Sequence, residues 1–229
     1  MSCPVAAERN RRLAGVAGLF GALLFFAGDM LFYGHFGSGV DFHQGMLDTV
    51  RHDSLARLYA GGLVGPVAAC LCILGFWHVH RNVNSPRGFF SRLVLVSFAV
   101  LMVFGSAVHA HWTAKGLAIQ NCSGSDDASC RALLPAINSY WSLAYNLGAV
   151  PGYLGAILLI GLVLFRKTRY PKWTVLANPA FLILLAPLAE KIPAPLGAIL
   201  VGGSTNLAIA FFFLISVLTT WAAPEPGAS

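Results

Sequence analysis

Asp29 lies inside a run, Leu13 to Phe36, that holds no other Asp, Glu, Lys or Arg and is long enough to cross a bilayer. Burying a charge at that depth is costly, so an ionisable side chain there marks a candidate site with a partner near it. Arg57, His109, His111 and Glu190 stand out for the same reason. Acid–base chemistry is what such a set supports. A carboxylate and an imidazole can trade a proton with a substrate, and two carboxylates in unequal surroundings can divide the acid and base roles. Asp29, His109 and Glu190 are therefore the catalytic candidates. Asp29 with Arg57 also reads as an ion pair that pins two helices together and lowers the desolvation cost of both charges. Tyr33 shares the helix face of Asp29 at i+4. Together with Arg57, Tyr145, Asn146 and Asn206 it makes up the substrate-binding candidates.

His109 and His111 are two apart, so on a regular helix their rings point about 200° away from each other. Both reach one pocket only if the helix ends there. A catalytic metal site needs about three protein ligands and an open position. His109 and His111 would need His35, Asp29 or Glu190 to complete it. No HExxH or paired-cysteine motif accompanies them. No cofactor is expected; a metal ion is the alternative. His78 and His80, next to Arg81, read as a solvated interfacial segment. Spans two and three carry their histidines at opposite ends, which disfavours a bis-histidine haem. Ser204 and Thr205 could supply a hydroxyl nucleophile, but such residues in a membrane helix tend to bond back to the preceding turn.

The elements that position these groups follow from composition. Of the 229 residues, 57% are hydrophobic and 10% charged, and the mean hydropathy is +0.70. Soluble domains carry roughly 25% charged residues, so the chain reads as one all-α integral membrane domain over 1–229. Six apolar segments can be drawn, approximately 13–36, 54–78, 89–112, 138–165, 173–190 and 195–221. Continuous runs of this length exclude the alternating strands of a barrel, and helices satisfy their own backbone in lipid. Pro187, Pro193 and Pro195 make the end of the fifth segment the least defined boundary. The first segment is about twice as long as a signal-peptide core and contains Asp29, so it reads as a retained span.

Lys and Arg set the orientation. Ten of the fifteen fall at the N-terminus, between the second and third segments, and between the fourth and fifth, including Arg87 and Lys167. An even number of spans puts those flanks and both termini on one side, which the positive-inside rule makes the cytoplasm of a plasma (inner) membrane. That use of the cations also removes the case for nucleic acid, for which no motif exists. The other side then receives a polar loop, 37–53, and a longer one, 113–137. The longer loop carries Cys122 and Cys130, an expected disulfide in an oxidising compartment. Cys3, Cys70 and Cys72 stay reduced. Asn121-Cys122-Ser123 formally matches a glycosylation sequon, at whose centre a disulfide would hinder modification. Gly61/Gly65, Gly148/Gly152 and Gly202-Gly203 allow close helix approach, while Pro66 and Pro151 favour kinks.

Three functions fit. The first is an intramembrane enzyme acting on a lipid-like or isoprenoid substrate by acid–base chemistry. It is suggested by ionisable residues on several helices at similar depth, beside Phe32, Tyr33, Tyr140, Trp141 and Tyr145. The second is a small-solute or proton-coupled transporter, for which six helices imply a homodimer. Among strongly polar groups in mid-helix, the cytoplasmic half offers only Asn178, which tilts the reading toward the enzyme. The third is a structural or regulatory subunit whose partners are the bilayer and other helices. No signature of membrane phosphatases, rhomboid proteases or quinone-coupled thiol oxidases is present.

Overall fold

The computed structural model describes residues 4–83, 88–122, 124, 127–166 and 168–222. Cys3, Arg87, Ser123 and Lys167 lie outside the described residues. Among the described residues, eight α-helices follow one another. These are α1 Pro4–Tyr33, α2 Phe42–His52, α3 Leu55–Asn82, α4 Phe89–Cys122, α5 Ala128–Phe165, α6 Pro179–Ile183, α7 Ala186–Ala189 and α8 Gly197–Thr220, with a 3₁₀ turn at Lys172–Ala177. The same residues hold no strand, only an isolated bridge between Val83 and Thr168.

Five helices, α1, α3, α4, α5 and α8, are long and apolar enough to cross a membrane. The helix expected over 173–190 is instead three short pieces. The sequence explains the breaks, because Pro171, Pro179 and Pro187 lack the amide hydrogen that a continuing helix requires. Asn178 restarts the chain. Its Oδ1 accepts from Ala180 N at 3.0 Å as an N-cap, and its Nδ2 donates to Ala156 O at 3.3 Å. The two ends of this broken stretch meet opposite ends of the bundle. At one, Arg169 N donates to Asn82 O and the Tyr170 hydroxyl pairs with Ser216 Oγ. At the other, Gly39 N donates to Ile192 O and Ala198 N to Gly37 O.

The expected loop over 113–137 is mostly helix. α4 runs ten residues past 112, and α5 begins ten before 138, so a short tip joined by the Cys122–Cys130 disulfide is all that remains. Hydropathy sees only the ~20 residues that a bilayer core accommodates, whereas this extension is held by packing. Gly116 seats against Leu58, and Gln120 Nε2 donates to Val50 O and Asp53 O at 2.9 and 2.8 Å. The loop over 37–53 contains α2, an amphipathic helix with Phe42 and Val50 buried and its polar face outward.

The long helices pack in the order α5, α4, α3, α1, α8, a curved row whose two ends are bridged by the 3₁₀ turn and α6. α1 and α3 meet backbone to backbone at Gly18 and Gly75, where a side chain on either would collide with the other's Cα. Nearer the disulfide end, Gly61 leaves room for the Phe32 ring and Gly65 for His109 Cβ. A leucine at Gly61 would have to displace Phe32, which a Cβ alone would approach at 2.8 Å. We expect Gly61→Leu to lose about 1–3 kcal/mol from overpacking, read as a lower unfolding midpoint in detergent. Gly161, where an added Cβ would meet nothing within 4 Å, should accept leucine without loss. Equal midpoints for the two variants would overturn this account of the α1–α3 contact.

The opposite end is tied by polar groups. Arg11, only 4% exposed, donates to Asn82 Oδ1 at 2.6 Å, to Thr220 O at 2.9 Å and to Thr220 Oγ1 at 3.2 Å, and pairs with Glu8. The His78 ring contacts Arg11 O through Nδ1 (2.8 Å) and Ser216 Oγ through Nε2 (3.1 Å). His78 and His80 are therefore buried, not solvated as their flanking position suggested.

Candidate functional site

Asp29 is carried on α1 one turn before Tyr33, and the i+4 spacing brings the Tyr33 hydroxyl to donate to Asp29 Oδ1 at 2.7 Å. Asn206, from the middle of α8, donates from Nδ2 to Asp29 Oδ2 at 2.6 Å. His109 of α4 places Nε2 3.4 Å from Asp29 Oδ1. Three helices thus converge on one carboxylate, and both Asp29 and His109 are buried. Small residues make the approach feasible. A Cβ on Gly28 would lie 3.1 Å from the His109 ring, and one on Gly202 would lie 3.1 Å from the Tyr33 ring. Phe25 and Phe32 flank the imidazole, with ring centroids 4.8 and 5.8 Å away.

These four polar residues line a cavity of about 190 Å³ enclosed by α1, α4, α5, α6 and α8. Its other walls are mainly apolar and aromatic, among them Phe98, Met102, Trp112, Trp141 and Ile209. Tyr145 and Tyr153 of α5 line it too, although they are 44% and 46% exposed. α5 packs closely on α4 and touches the 3₁₀ turn and α6, but has no comparable packing against α1 or α8. The cavity therefore reaches the perimeter of the bundle beside α5. A polar end and an apolar body suit an amphiphile.

Chemically, a carboxylate and an imidazole in such contact can hold a proton between them and exchange it with a third group. The Tyr33 and Asn206 donors fix the orientation of the carboxylate. Apolar walls strengthen each of these electrostatic contacts, because they keep the local dielectric low.

Several sequence candidates fall elsewhere. Arg57 does not reach Asp29. It pairs with Asp53 at 2.5 Å and donates to Met30 O at 3.0 Å, so the expected Asp29–Arg57 ion pair is replaced by a local i,i+4 pair at the start of α3. Burial raises the Asp53 carboxyl from its ordinary value, and the Arg57 guanidinium opposes that shift. Glu190 is an exposed residue beside Gly39, away from the cavity. Asn146 is exposed as well, one residue and about 100° around α5 from Tyr145. His111 turns to Ile137 O and Tyr140, and His35 stacks on Phe42 beneath α2. His109, His111 and His35 thus do not converge as metal ligands, since α4 stays regular through both of its histidines. Among the described residues no three His, Cys, Asp or Glu side chains cluster as a metal site.

Phe25, Trp112 and Lys115 are additions that the sequence did not single out as site residues. His109, Trp112 and Lys115 recur every third residue of α4, a spacing that the apolar run around the histidines conceals. Lys115 Nζ lies 4.3 Å from the Trp112 ring centre and 5.2 Å from that of Trp141.

One protein-family description, "Family of unknown function (DUF6796)", matches residues 8–222, nearly the whole chain. No curated protein and no solved structure matches it.

Proposed function

The chain belongs to that family, DUF6796, and on the geometry of its cavity we propose an intramembrane enzyme that acts on a lipid-like or isoprenoid substrate by acid–base chemistry. The observation that carries this reading is a buried Asp29–His109 pair set in the wall of a largely apolar cavity that reaches the bundle perimeter. Asp29 and His109 share the acid and base roles, Tyr33 and Asn206 position the carboxylate, and Tyr145 lines the side from which an apolar molecule arrives. A proton-coupled carrier would use the same titratable pair. Against it stands the network around Arg11, which ties α1, α3 and α8 together at the far end, where a carrier must open.

In this reading the broken 172–196 stretch is a sixth crossing, because its ends contact opposite ends of the bundle. Both termini then lie on the cation-rich side, the cytoplasm of the plasma membrane. A reporter active only in the cytoplasm should work when fused after Ala222 and fail when inserted at Gly124. The reverse pattern overturns the orientation.

The reaction is tested by comparing total lipid extracts of cells with and without the gene. The expected result is a substrate species that accumulates, and a product that disappears, when the gene is lost. Unchanged lipid profiles with altered solute uptake would give the carrier reading the advantage.

A further inference from the structure

We propose that the cavity takes an amphiphile with an anionic head group, a phosphate or carboxylate, and that Lys115 and Trp141 bind that head at the disulfide end. This rests on the substrate reading above and names the part of the substrate that reading leaves open. Two independent observations point to an anion. Lys115 is only partly exposed and has no carboxylate within 4.0 Å among the described residues, its near neighbours being the Trp112 and Trp141 rings. Those rings attract the ammonium but leave its hydrogen-bond donors without an acceptor. Trp141, which lines the cavity, carries a buried Nε1 with no hydrogen-bond partner. Indole N–H is a donor only, and a buried donor left unpaired is costly. Lys115 does not itself line the cavity, but its ammonium lies 5.2 Å from the centre of the Trp141 ring, which does line it and carries the orphaned donor, so one anionic acceptor at that end serves both.

The rest of the cavity matches what must follow such a head. Lys115 is six residues from His109 on α4, about 9 Å along the axis at 1.5 Å per residue. Trp112 and Phe98 supply apolar wall along the helix on either side of His109. An anionic group at Lys115 therefore leaves the next stretch of the chain beside Asp29 and His109, several bonds in from the head. The charge signs agree with this order: the anion meets the cation first and is held away from the Asp29 carboxylate. The reacting atom is then a hydroxyl or carbon in the chain, not the head group itself.

The test uses purified full-length protein in neutral detergent, with dodecyl phosphate, 1-dodecanol and inorganic phosphate as probes and isothermal calorimetry as the readout. Dodecyl phosphate should bind wild type at least ten-fold more tightly than 1-dodecanol, and inorganic phosphate should bind far more weakly than either. Lys115→Gln should abolish the ten-fold preference while leaving 1-dodecanol binding unchanged, and Lys115→Arg should retain it. Trp141→Phe keeps an aromatic ring but removes the N–H, and should lower the preference two- to five-fold. Equal affinity of wild type for the two dodecyl probes overturns the proposal, as does a preference that survives Lys115→Gln. Inorganic phosphate binding as tightly as dodecyl phosphate also overturns it, since the tail would then contribute nothing. Asp29→Asn should keep the preference whether or not it retains activity, so a failure of the acid–base reading is distinguishable from a failure of this one.

Discussion

Asp29→Asn should abolish the lipid change that the gene produces while leaving the protein folded. Loss of a positioned general acid or base costs roughly 10²–10⁴ in rate, so at steady state the variant's lipid extract should match that of cells without the gene. Folding is spared for a stereochemical reason. The asparagine Oδ1 can accept the Tyr33 hydroxyl in place of Asp29 Oδ1, and Asn206 can turn its amide over so that its oxygen meets the new Nδ2. The unfolding midpoint in detergent should therefore move little. Asp29→Ala is the poorer experiment. It orphans the Asn206 donor, at about 1–3 kcal/mol for a buried group, leaves the Tyr33 hydroxyl only Gly202 O at 3.4 Å, and would confuse loss of chemistry with loss of structure. His109→Gln supplies the second arm and should fall as far as Asp29→Asn. A wild-type lipid profile from Asp29→Asn would reduce the carboxylate to a device for holding α1 against α8.

How far the sequence foretold this site depends on the distance over which each signal acts. Asp29 and Tyr33 are four apart on one helix, and helical periodicity alone pairs them. That His109 and Asn206 join them required only that polar groups at similar depth share a bundle interior. Arg57 shows the limit. Opposite charge and equal depth made it the natural partner of Asp29, but Asp53 lies four residues away on the same chain and captures it first. A local i,i+4 partner needs no particular arrangement of helices, whereas an interhelical one does. Glu190 failed for a related reason, since the prolines that broke its helix left no rigid element to aim it inward. The His78 burial was hidden because the groups around it, Arg11, Ser216 and Tyr170, come from three distant stretches of chain. The five long helices were legible throughout. The extension of α4 beyond the bilayer thickness was not, because hydropathy reports lipid contact and those extra turns are held by α2 and the start of α3.

Arg11→Met should destabilise the protein by about 3–5 kcal/mol, the usual cost of removing one partner from a buried charged network. Methionine keeps much of the side chain's apolar stem and leaves Asn82 Oδ1 and the Thr220 carbonyl without the donor they now share, while Glu8 keeps Arg12 and Arg169. Thr220 O belongs to the last turn of α8, where helix carbonyls have no partner within the helix, so the loss falls on the α1–α8 contact. Arg11→Lys should recover only part of it, because one ammonium cannot reach three elements in the planar fork that guanidinium provides. The double variant Glu8→Gln/Arg11→Met should be less stable than Arg11→Met alone, since Glu8 still pairs with Arg169, whose side chain is 6% exposed. Unfolding in detergent measures all three, and a loss below about 0.5 kcal/mol for Arg11→Met would sink the argument. The consequence for function lies at the far end of the same two helices. Asp29 is eighteen residues from Arg11 on α1, and Asn206 fourteen from Thr220 on α8, about 27 and 21 Å along the axes. The Asn206–Asp29 bond therefore depends on a register set by a network it never touches. Arg11→Met should lower activity only as it lowers stability, and Arg11→Lys should restore both in part. Asp29→Asn should do the opposite, losing activity at full stability, and that contrast separates the residues that hold the cavity from those that act in it.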